Sequence, residues 1–504
     1  MTKSCISFNN ATFTYESAGN PLFEELTVHF PSGWTGIVGA NGAGKTTLLK
    51  LATGELRPNS GSVLTQGEAI YCSQRTDYAP SLLGEFVLTP DGEALRIKGQ
   101  LEIDNDWPVR WHTLSHGERK RAQIAVALWR KPDVLALDEP TNHIDADARR
   151  LLGNALRDFD GAGLLVSHDR ELLDTLCSQC LFLDPPNGVL RPGGVTQGLE
   201  EEKKENKSIR RRRAQAKTEQ KRLKREVVKR REEASKSHRM RSKRGLALKD
   251  HDARAKVNLA RISGKDGQAG RLLNQMQGRL EQVRKKKAEI KVKKTYEMGI
   301  WMTGARSKRD TLFSLAADSI SLGERRVLSF PDLTMRPEDR IALTGPNGTG
   351  KSTLIRRVVE SLNVAKERLI CLPQEISLEE SQSIIGQVRN LPNDKLGRIM
   401  TVVSRLGSRP ERLFDTDEPS PGEIRKILLA LGIARVPHLI IMDEPTNHLD
   451  LPSIECLEEV LSECPCGILL VSHDLRFLGR FTRRRWHISK DEMREEHYML
   501  QEAN

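Results

Sequence analysis

At 504 residues the chain is long enough for two to four domains, and its 38% hydrophobic content supports ordinary globular cores. No apolar run approaches the roughly 18–20 residues of a membrane span, and residues 1–5 lack a signal-peptide core, so a cytoplasmic protein with no membrane partner is expected. The net charge of +12 is concentrated: residues 201–300 hold 34 Lys+Arg against 13 Asp+Glu, or +21, which leaves −9 over the rest and points to a polyanion partner for the middle of the chain. Eight scattered cysteines, with close pairs only at Cys177/Cys180 and Cys464/Cys466, suggest thiols rather than a disulfide framework or a four-ligand zinc site.

In chain order, the first strong signal is a glycine loop, Gly39, Ala40, Asn41, Gly42, Ala43, Gly44, Lys45, Thr46, followed by Thr47. It matches G-x-x-x-x-G-K-[ST] in full. Glycines let the backbone curl its N–H groups around phosphate oxygens, and the helix that follows points its positive end at the charge. Lys45 is expected to bridge the β- and γ-phosphates and Thr46 to ligate Mg²⁺. Gln74, after the strand-like residues 69–72, is placed to sense Mg²⁺ or the attacking water. Ser115, Gly117 and Glu118 open a helix with a hydroxyl and free N–H groups, a second anion site. The local loop already cradles one nucleotide, so this second site is expected to serve the nucleotide of a partner domain in head-to-tail closure. The apolar run 134–137 reads as a central parallel strand buried on both faces and ends in Asp138, expected to hold Mg²⁺ through water. Glu139 follows and is placed to polarise the water that attacks the γ-phosphate. His168, after another apolar strand, is expected to contact that phosphate.

From residue 199 to about 301 the character changes. Residues 200–237 contain no Pro or Gly and are dominated by Lys, Arg, Glu and Ala, which predicts a long helix. A second helix is expected over 271–294, with Leu273, Met276, Leu280, Val283 and Ile290 in 3- and 4-residue steps and Lys287 filling one step. Together they predict an antiparallel hairpin with a basic tip near residues 238–267. No Phe, Tyr or Trp lies between 199 and 295, so contact with RNA is expected through phosphates and folded shape rather than base stacking.

The third stretch repeats the first. Gly345, Pro346, Asn347, Gly348, Thr349, Gly350, Lys351 and Ser352, then Thr353, repeat the loop at an offset of 306. Asp443, Glu444 and His473 repeat Asp138, Glu139 and His168 at 305, and Ser420, Gly422 and Glu423 repeat the serine segment. Gln374 follows the strand-like residues 369–372. So constant an offset means one domain was copied whole. The same roles are expected: Lys351 on phosphates, Ser352, Asp443 and Gln374 at Mg²⁺, Glu444 and His473 in catalysis. Strand, glycine loop, helix and further buried strands give an α/β fold in each copy. The expected organisation is thus two nucleotide-binding domains, 1–198 and 302–504, joined by the helical linker 199–301.

These residues resemble the ATP-binding-cassette superfamily, and the serine segments resemble its signature motif, with Glu where members often carry Gln. Two cassettes in one chain without membrane spans, Asp-Glu-Pro-Thr-Asn-His-[Leu/Ile]-Asp in both, and a charged linker of about 100 residues resemble the ABC-F subfamily of translation factors and antibiotic-resistance ribosome-protection factors. The resemblance implies a monomeric ATPase using ATP and Mg²⁺, with its linker entering the ribosome at the tRNA exit site. There the tip, including Arg239, Arg241, Lys243, Arg244, Lys249, Arg254 and Lys256, would approach rRNA, P-site tRNA and the peptidyl-transferase centre. Tyr15 resembles the adenine-stacking aromatic, whereas Ser321 stands at the corresponding second position. Pro419 replaces the usual Leu before Ser420, so the two ATP sites are expected to be unequal. The roughly 40 residues from Gln74 to Ser115 leave no room for an arm insertion, and 31 residues after His473 leave none for a long C-terminal extension. Protection against antibiotics and a housekeeping translation role both remain open. An ATPase recruited by a separate membrane transporter is a rival, though such a subunit needs no +21 hairpin. Chromosome-structure ATPases and iron–sulfur recycling ATPases lack support: there is no long coiled-coil insertion, and only Cys5 lies in the first 70 residues.

Overall fold

A computed structural model of the protein describes residues 5–16, 19–142, 144–240, 257, 265–290, 305–323, 325–374, 376–406, 421–447, 449–491, 494 and 496–503. The chain forms two compact units, one built from residues 1–198 with 296–504 and the other from residues 199–295.

In the first copy the main sheet runs Ala69–Cys72, Val134–Asp138, Ala162–Val166, Gly33–Gly39, Cys177–Asp184, Asn187–Pro192; the last strand is antiparallel and all other neighbours are parallel. Every residue of Val134–Asp138 and Ala162–Val166 is buried, as continuous apolar runs require of strands covered on both faces. A separate antiparallel sheet of Phe23–Phe30, Ile6–Phe13 and Ser60–Thr65 packs with it around one core containing Phe8, Phe30, Ile37 and Leu48. The second copy repeats the parallel centre as Arg484–Lys490, Arg340–Thr344, Gly467–Val471, Leu439–Asp443, Leu369–Leu372. There, however, Asp318–Leu322, Arg326–Phe330 and His497–Ala503 extend the same sheet to eight strands. The architecture is two α/β cassettes with mainly parallel sheets and a helical insert between them.

The linker helices run Val195–Met240 and Lys265–Glu289. The first begins five residues before the expected 200. Gly198 is accommodated because a Cβ there would lie 2.5 Å from the Phe182 ring, so the position favours glycine for packing reasons. The second begins before the expected 271 and tolerates Gly267, Gly270 and Gly278. Leu273, Met276, Leu280, Val283, Lys287 and Ile290 are half-buried while the residues between them are exposed, which is the anticipated stripe. Ile209, Ala216, Gln220, Leu223 and Val227 make the matching stripe on the first helix, one 7-residue step and then 4-, 3- and 4-residue steps. Lys287 Nζ donates to Gln220 Oε1 at 3.0 Å across the seam. The tip residues Arg241, Lys243, Arg244, Lys249, Arg254 and Lys256 lie outside the described residues.

One expectation is corrected. Cys464 and Cys466, read from sequence as thiols, are joined in a disulfide. With one residue between them their Cα atoms stand 5.5 Å apart, inside bridging range. The other six cysteines are in no disulfide, as expected.

The cassettes meet through an ion-pair clasp. Glu458, buried on the helix Leu451–Glu463, accepts from Arg170 Nη1 of the first copy at 3.0 Å and from Arg480 Nη1 of its own copy at 2.5 Å. Beside it Arg476 Nη1 reaches Asp174 Oδ2 at 3.3 Å and Thr196 Oγ1 at 3.0 Å. The copy-related positions are Gly153, Leu475, Thr175, Glu171 and Gly479, so no second clasp of this kind is encoded.

Candidate nucleotide sites

Each glycine loop leaves a central strand and enters a helix, Lys45–Ala52 or Lys351–Glu360. The helix caps Gly44 and Gly350 have φ of 87° and 93°, where an L side chain is strained, and a Cβ there would press within 2.8 Å of Leu22 and Phe23 or of Leu322. The loop can therefore turn its N–H groups inward. Lys45 Nζ donates to Gly39 O at 2.8 Å and Ala40 O at 3.3 Å; Lys351 Nζ donates to Gly345 O at 2.8 Å and Pro346 O at 2.7 Å. Both ammonium groups are buried, and burial holds their pKa below the usual lysine range, with the nearby carboxylates opposing.

Thr46 Oγ1 donates to Asp138 Oδ2 at 2.7 Å, and Ser352 Oγ to Asp443 Oδ2 at 2.6 Å. A hydroxyl paired with a carboxylate at a strand end is a donor set suited to a hard cation. Two protein oxygens leave most of an Mg²⁺ shell to phosphate and water. Tyr71 OH adds a bond to Asp138 at 3.1 Å, and the corresponding residue beside Asp443 is Cys371.

Glu139 and Glu444 sit at φ of 45° and 48°, a left-handed conformation costing about 1–3 kcal/mol. Their N–H groups bond Val166 O and Val471 O at 2.8 Å, which fixes them immediately beyond the strand ends. Burial pushes the Glu139 carboxyl up to about 8 and the Glu444 carboxyl up to about 7, each against the pull of its lysine. His168 Nε2 lies 3.2 Å from Glu139 Oε1, and His473 Nε2 3.6 Å from Glu444 Oε1. His473 Nε2 also lies 3.1 Å from Asn347 Oδ1 and 3.5 Å from Lys351 Nζ. Burial, then the Lys351 and Arg149 charges, bring its ring down to about 3, so it is neutral. The structure thus gathers Lys, hydroxyl, Asp, Glu and His at one point in each copy.

Tyr15 is partly exposed, stands edge-on to Phe13 at 5.0 Å, and bonds Thr47 Oγ1 at 2.7 Å. At the second site Ser321 bonds Gly323 O, and Leu322 rather than a ring lies against Gly350. Arg326, which the sequence did not single out, has Nη1 3.3 Å from where a Cβ on Gly348 would stand.

Ser115 caps the helix His116–Trp129: its Oγ accepts from Glu118 N at 3.3 Å while Glu118 Oε2 accepts from Ser115 N at 2.7 Å. The Glu118 carboxylate is thus engaged in a capping box rather than aimed outward as a nucleotide contact. Gly117 is buried against Ile144. Gly422 and Glu423 open the helix Pro421–Ile433, and Ser420 with Pro419 lies outside the described residues.

Two pairs of residues at the candidate sites escape the sequence reading. Asp450 Oδ2 accepts from Asn41 N at 2.8 Å, and Asp145 Oδ2 from Asn347 N at 3.3 Å, so each copy's Asp touches the other's phosphate loop. Each Asp also caps its own helix, through Ala148 N or Ser453 N. Their signal was present in the repeated motif but carried no role. Lys120, fully buried, donates to Ser73 O at 2.7 Å and Gln74 O at 3.2 Å. Arg425, five residues after Ser420 as Lys120 is after Ser115, bonds Glu444 O at 2.7 Å and also the Gln374 carbonyl. A buried cation therefore ties the backbone of each glutamine loop to the signature helix.

In the linker, Arg210, Arg213, Ala214, Lys217 and Lys287 line a cleft of about 340 Å³. Among the described residues no helix is long and apolar enough to cross a membrane.

Residues 23–142 and 328–447 each match the ABC transporter family. The chain is 28% identical to the ribosome protection protein VmlR of Bacillus subtilis, over 97% of this chain and 87% of that one. It is 29% identical to the ATP-binding protein Uup of Caulobacter vibrioides (91% and 73%), and 24% to the energy-dependent translational throttle protein EttA of Escherichia coli (90% and 86%). Among solved structures, an archaeal ribosome recycling factor bound to a ribosomal stalk protein aligns with a TM-score of 0.60 at 20% identity, covering 97% and 89%. An RNase-L inhibitor aligns at 0.61 and 19%, covering 98% and 90%.

Proposed function

Because the chain belongs to the ATP-binding-cassette proteins, with curated relatives of the ABC-F kind, we propose that it is a soluble, cytoplasmic ATPase acting on the ribosome. The observation that carries the reading is the pair of crossed contacts, Asn41–Asp450 and Asn347–Asp145. Each joins one glycine loop to the opposite cassette, which supports two shared ATP sites in one monomer. In each site the loop N–H groups and Lys45 or Lys351 hold the phosphates. Thr46 with Asp138, and Ser352 with Asp443, hold Mg²⁺, with Gln74 and Gln374 at its edge. Glu139 and Glu444 orient and deprotonate the attacking water, and His168 and His473 hold the γ-phosphate. Tyr15 stacks the first adenine. Domains 1–198 and 302–504 close on ATP, and the linker 199–301 meets rRNA and P-site tRNA.

Within that reading we favour protection of the peptidyl-transferase centre from antibiotics over a housekeeping role. Similarity to a protein named for ribosome protection over 97% of this chain, and the short stretch between Gln74 and Ser115, support it. Growth of a susceptible host expressing the gene, against pleuromutilins, lincosamides, streptogramins, phenicols, oxazolidinones and macrolides, tests this; no gain in resistance to any class returns the housekeeping role.

The ATPase itself is tested by Glu139→Gln with Glu444→Gln. The phosphate cradle stays while the carboxylate needed to polarise water goes. Nucleotide binding is expected to persist, phosphate release to fall to background, and the protein to pellet with ribosomes in ATP. Failure of this variant to bind ATP contradicts the roles given to the two glutamates.

A further inference from the structure

Asp145 does two things at once: Oδ2 accepts from Asn347 N of the second phosphate loop, and Oδ1 caps the helix Ala146–Arg157. Arg149 stands one turn further on, its N–H bonded to Asp145 O at 2.9 Å. Its side chain is half-buried, 21% exposed, and Nε lies 3.2 Å from Asp169 Oδ2 of its own cassette. The Glu444 carboxyl and the His473 ring, both in the second cassette, lie close enough to feel its charge, behind burial, Lys351 and, for Glu444, Asp443. At the copy-related position, four residues after Asp450, stands the buried, uncharged Ile454.

We propose that Arg149 is contributed in trans to the nucleotide site built on Lys351, where it supplies positive charge to the terminal phosphate and the Glu444–His473 pair, and that the site built on Lys45 has no counterpart. The placement follows from chain geometry. A residue four positions after a helix cap lies over the same first turn, and here that turn is pinned to the partner loop through Asn347. Hydrolysis builds negative charge on the oxygens of the transferred phosphoryl group, and a guanidinium brought across an interface is suited to neutralise it. The Nε contact with Asp169 holds the side chain in its own cassette's first turn. The two ATP sites therefore differ in their catalytic equipment, not only in their signature segments.

The competing role for Arg149 is to brace Asp169, next to His168, and that role would act on the other site. Single-site proteins separate them. Glu139→Gln leaves hydrolysis to the Lys351 site, and Glu444→Gln leaves it to the Lys45 site. Arg149→Ala is expected to lower kcat about tenfold or more in the Glu139→Gln protein, with KM for ATP changed far less, and the loss should be confined to that background. Arg149→Lys should recover part of the rate. Arg149→Ile, which copies the second cassette, should not, and a matching melting temperature excludes misfolding as the cause. Loss only in the Glu444→Gln protein, equal loss in both, or no loss in either overturns the proposal. The inference rests on Glu139 and Glu444 being the hydrolytic carboxylates, so the double Gln variant is assayed alongside. Turnover there overturns that reading and this one together, whereas an inert double variant with the wrong Arg149 pattern overturns this one alone.

Discussion

The two glutamates at the strand ends differ in their surroundings although their motifs are nearly identical. Glu139 is pushed up to about 8 and Glu444 to about 7 by burial, with Arg149 among the charges that pull Glu444 down. A carboxylate that accepts a proton from water must first be ionised, so turnover should rise with pH through these values. An acid limb above the ordinary glutamate range is expected at each site, with the Lys45 site assayed in Glu444→Gln and the Lys351 site in Glu139→Gln. Limbs at the ordinary glutamate value would overturn the expectation. The sign for stability is opposite. A carboxyl whose folded pKa is raised favours the fold below its unfolded value, near 4.5, and that contribution is lost as pH climbs through 7 to 8. The glutamates thus weaken the fold in the range where they ionise.

At the scale of elements, the linker seam is mixed in a specific place. Leu273, Met276, Leu280 and Val283 give way to Lys287, which meets Gln220. One polar layer in an apolar seam costs stability and fixes register. Around it Arg210, Arg213, Lys217 and Lys287 concentrate positive charge in the stem, well away from the tip. Replacing Arg210, Arg213 and Lys217 with Ala should weaken ribosome pelleting and flatten its log–log salt slope by roughly two to three, at about 0.9 for each phosphate no longer neutralised. Basal ATPase should hold, and an unchanged slope would mean that the stem binds no phosphate. This stripe was legible in advance because helical periodicity is a local property of the chain. The phosphate loops, the buried strands ending in Asp-Glu and the histidines were legible for the same reason, with duplication as corroboration. The contacts of Asp145, Asp450, Lys120 and Arg425 were not, because their partners lie 46 or more residues away, or 19 in the nearest case, and only folding pairs them. The capping bond of Glu118 was not foreseen because a helix-opening carboxylate looks the same in sequence whether it faces a ligand or its own cap.

Across the whole molecule the cassettes share their motifs, but only some of the contacts that join them are repeated. The Asn–Asp contacts are reciprocal, but the Arg170–Glu458–Arg480 clasp is single. Glu458 lies on the helix capped by Asp450, whose carboxylate reaches Asn41, and Arg170 follows His168 by two residues. The clasp therefore lies beside the Lys45 site through Glu458 and Arg170, and the positions that would repeat it beside the Lys351 site are Gly153 and Leu475. Removing one partner of a buried ion pair costs about 3–5 kcal/mol, so Glu458→Ala should loosen cassette closure far more than substitution of an exposed charge. A pair of doors fastened along one edge swings open from the other. ATP and ADP should leave the Lys351 site quickly and linger in the Lys45 site, giving two release phases with a fluorescent nucleotide, and Glu458→Ala should erase the slow one. The protein would then keep time with one nucleotide while it remains gripped by the other.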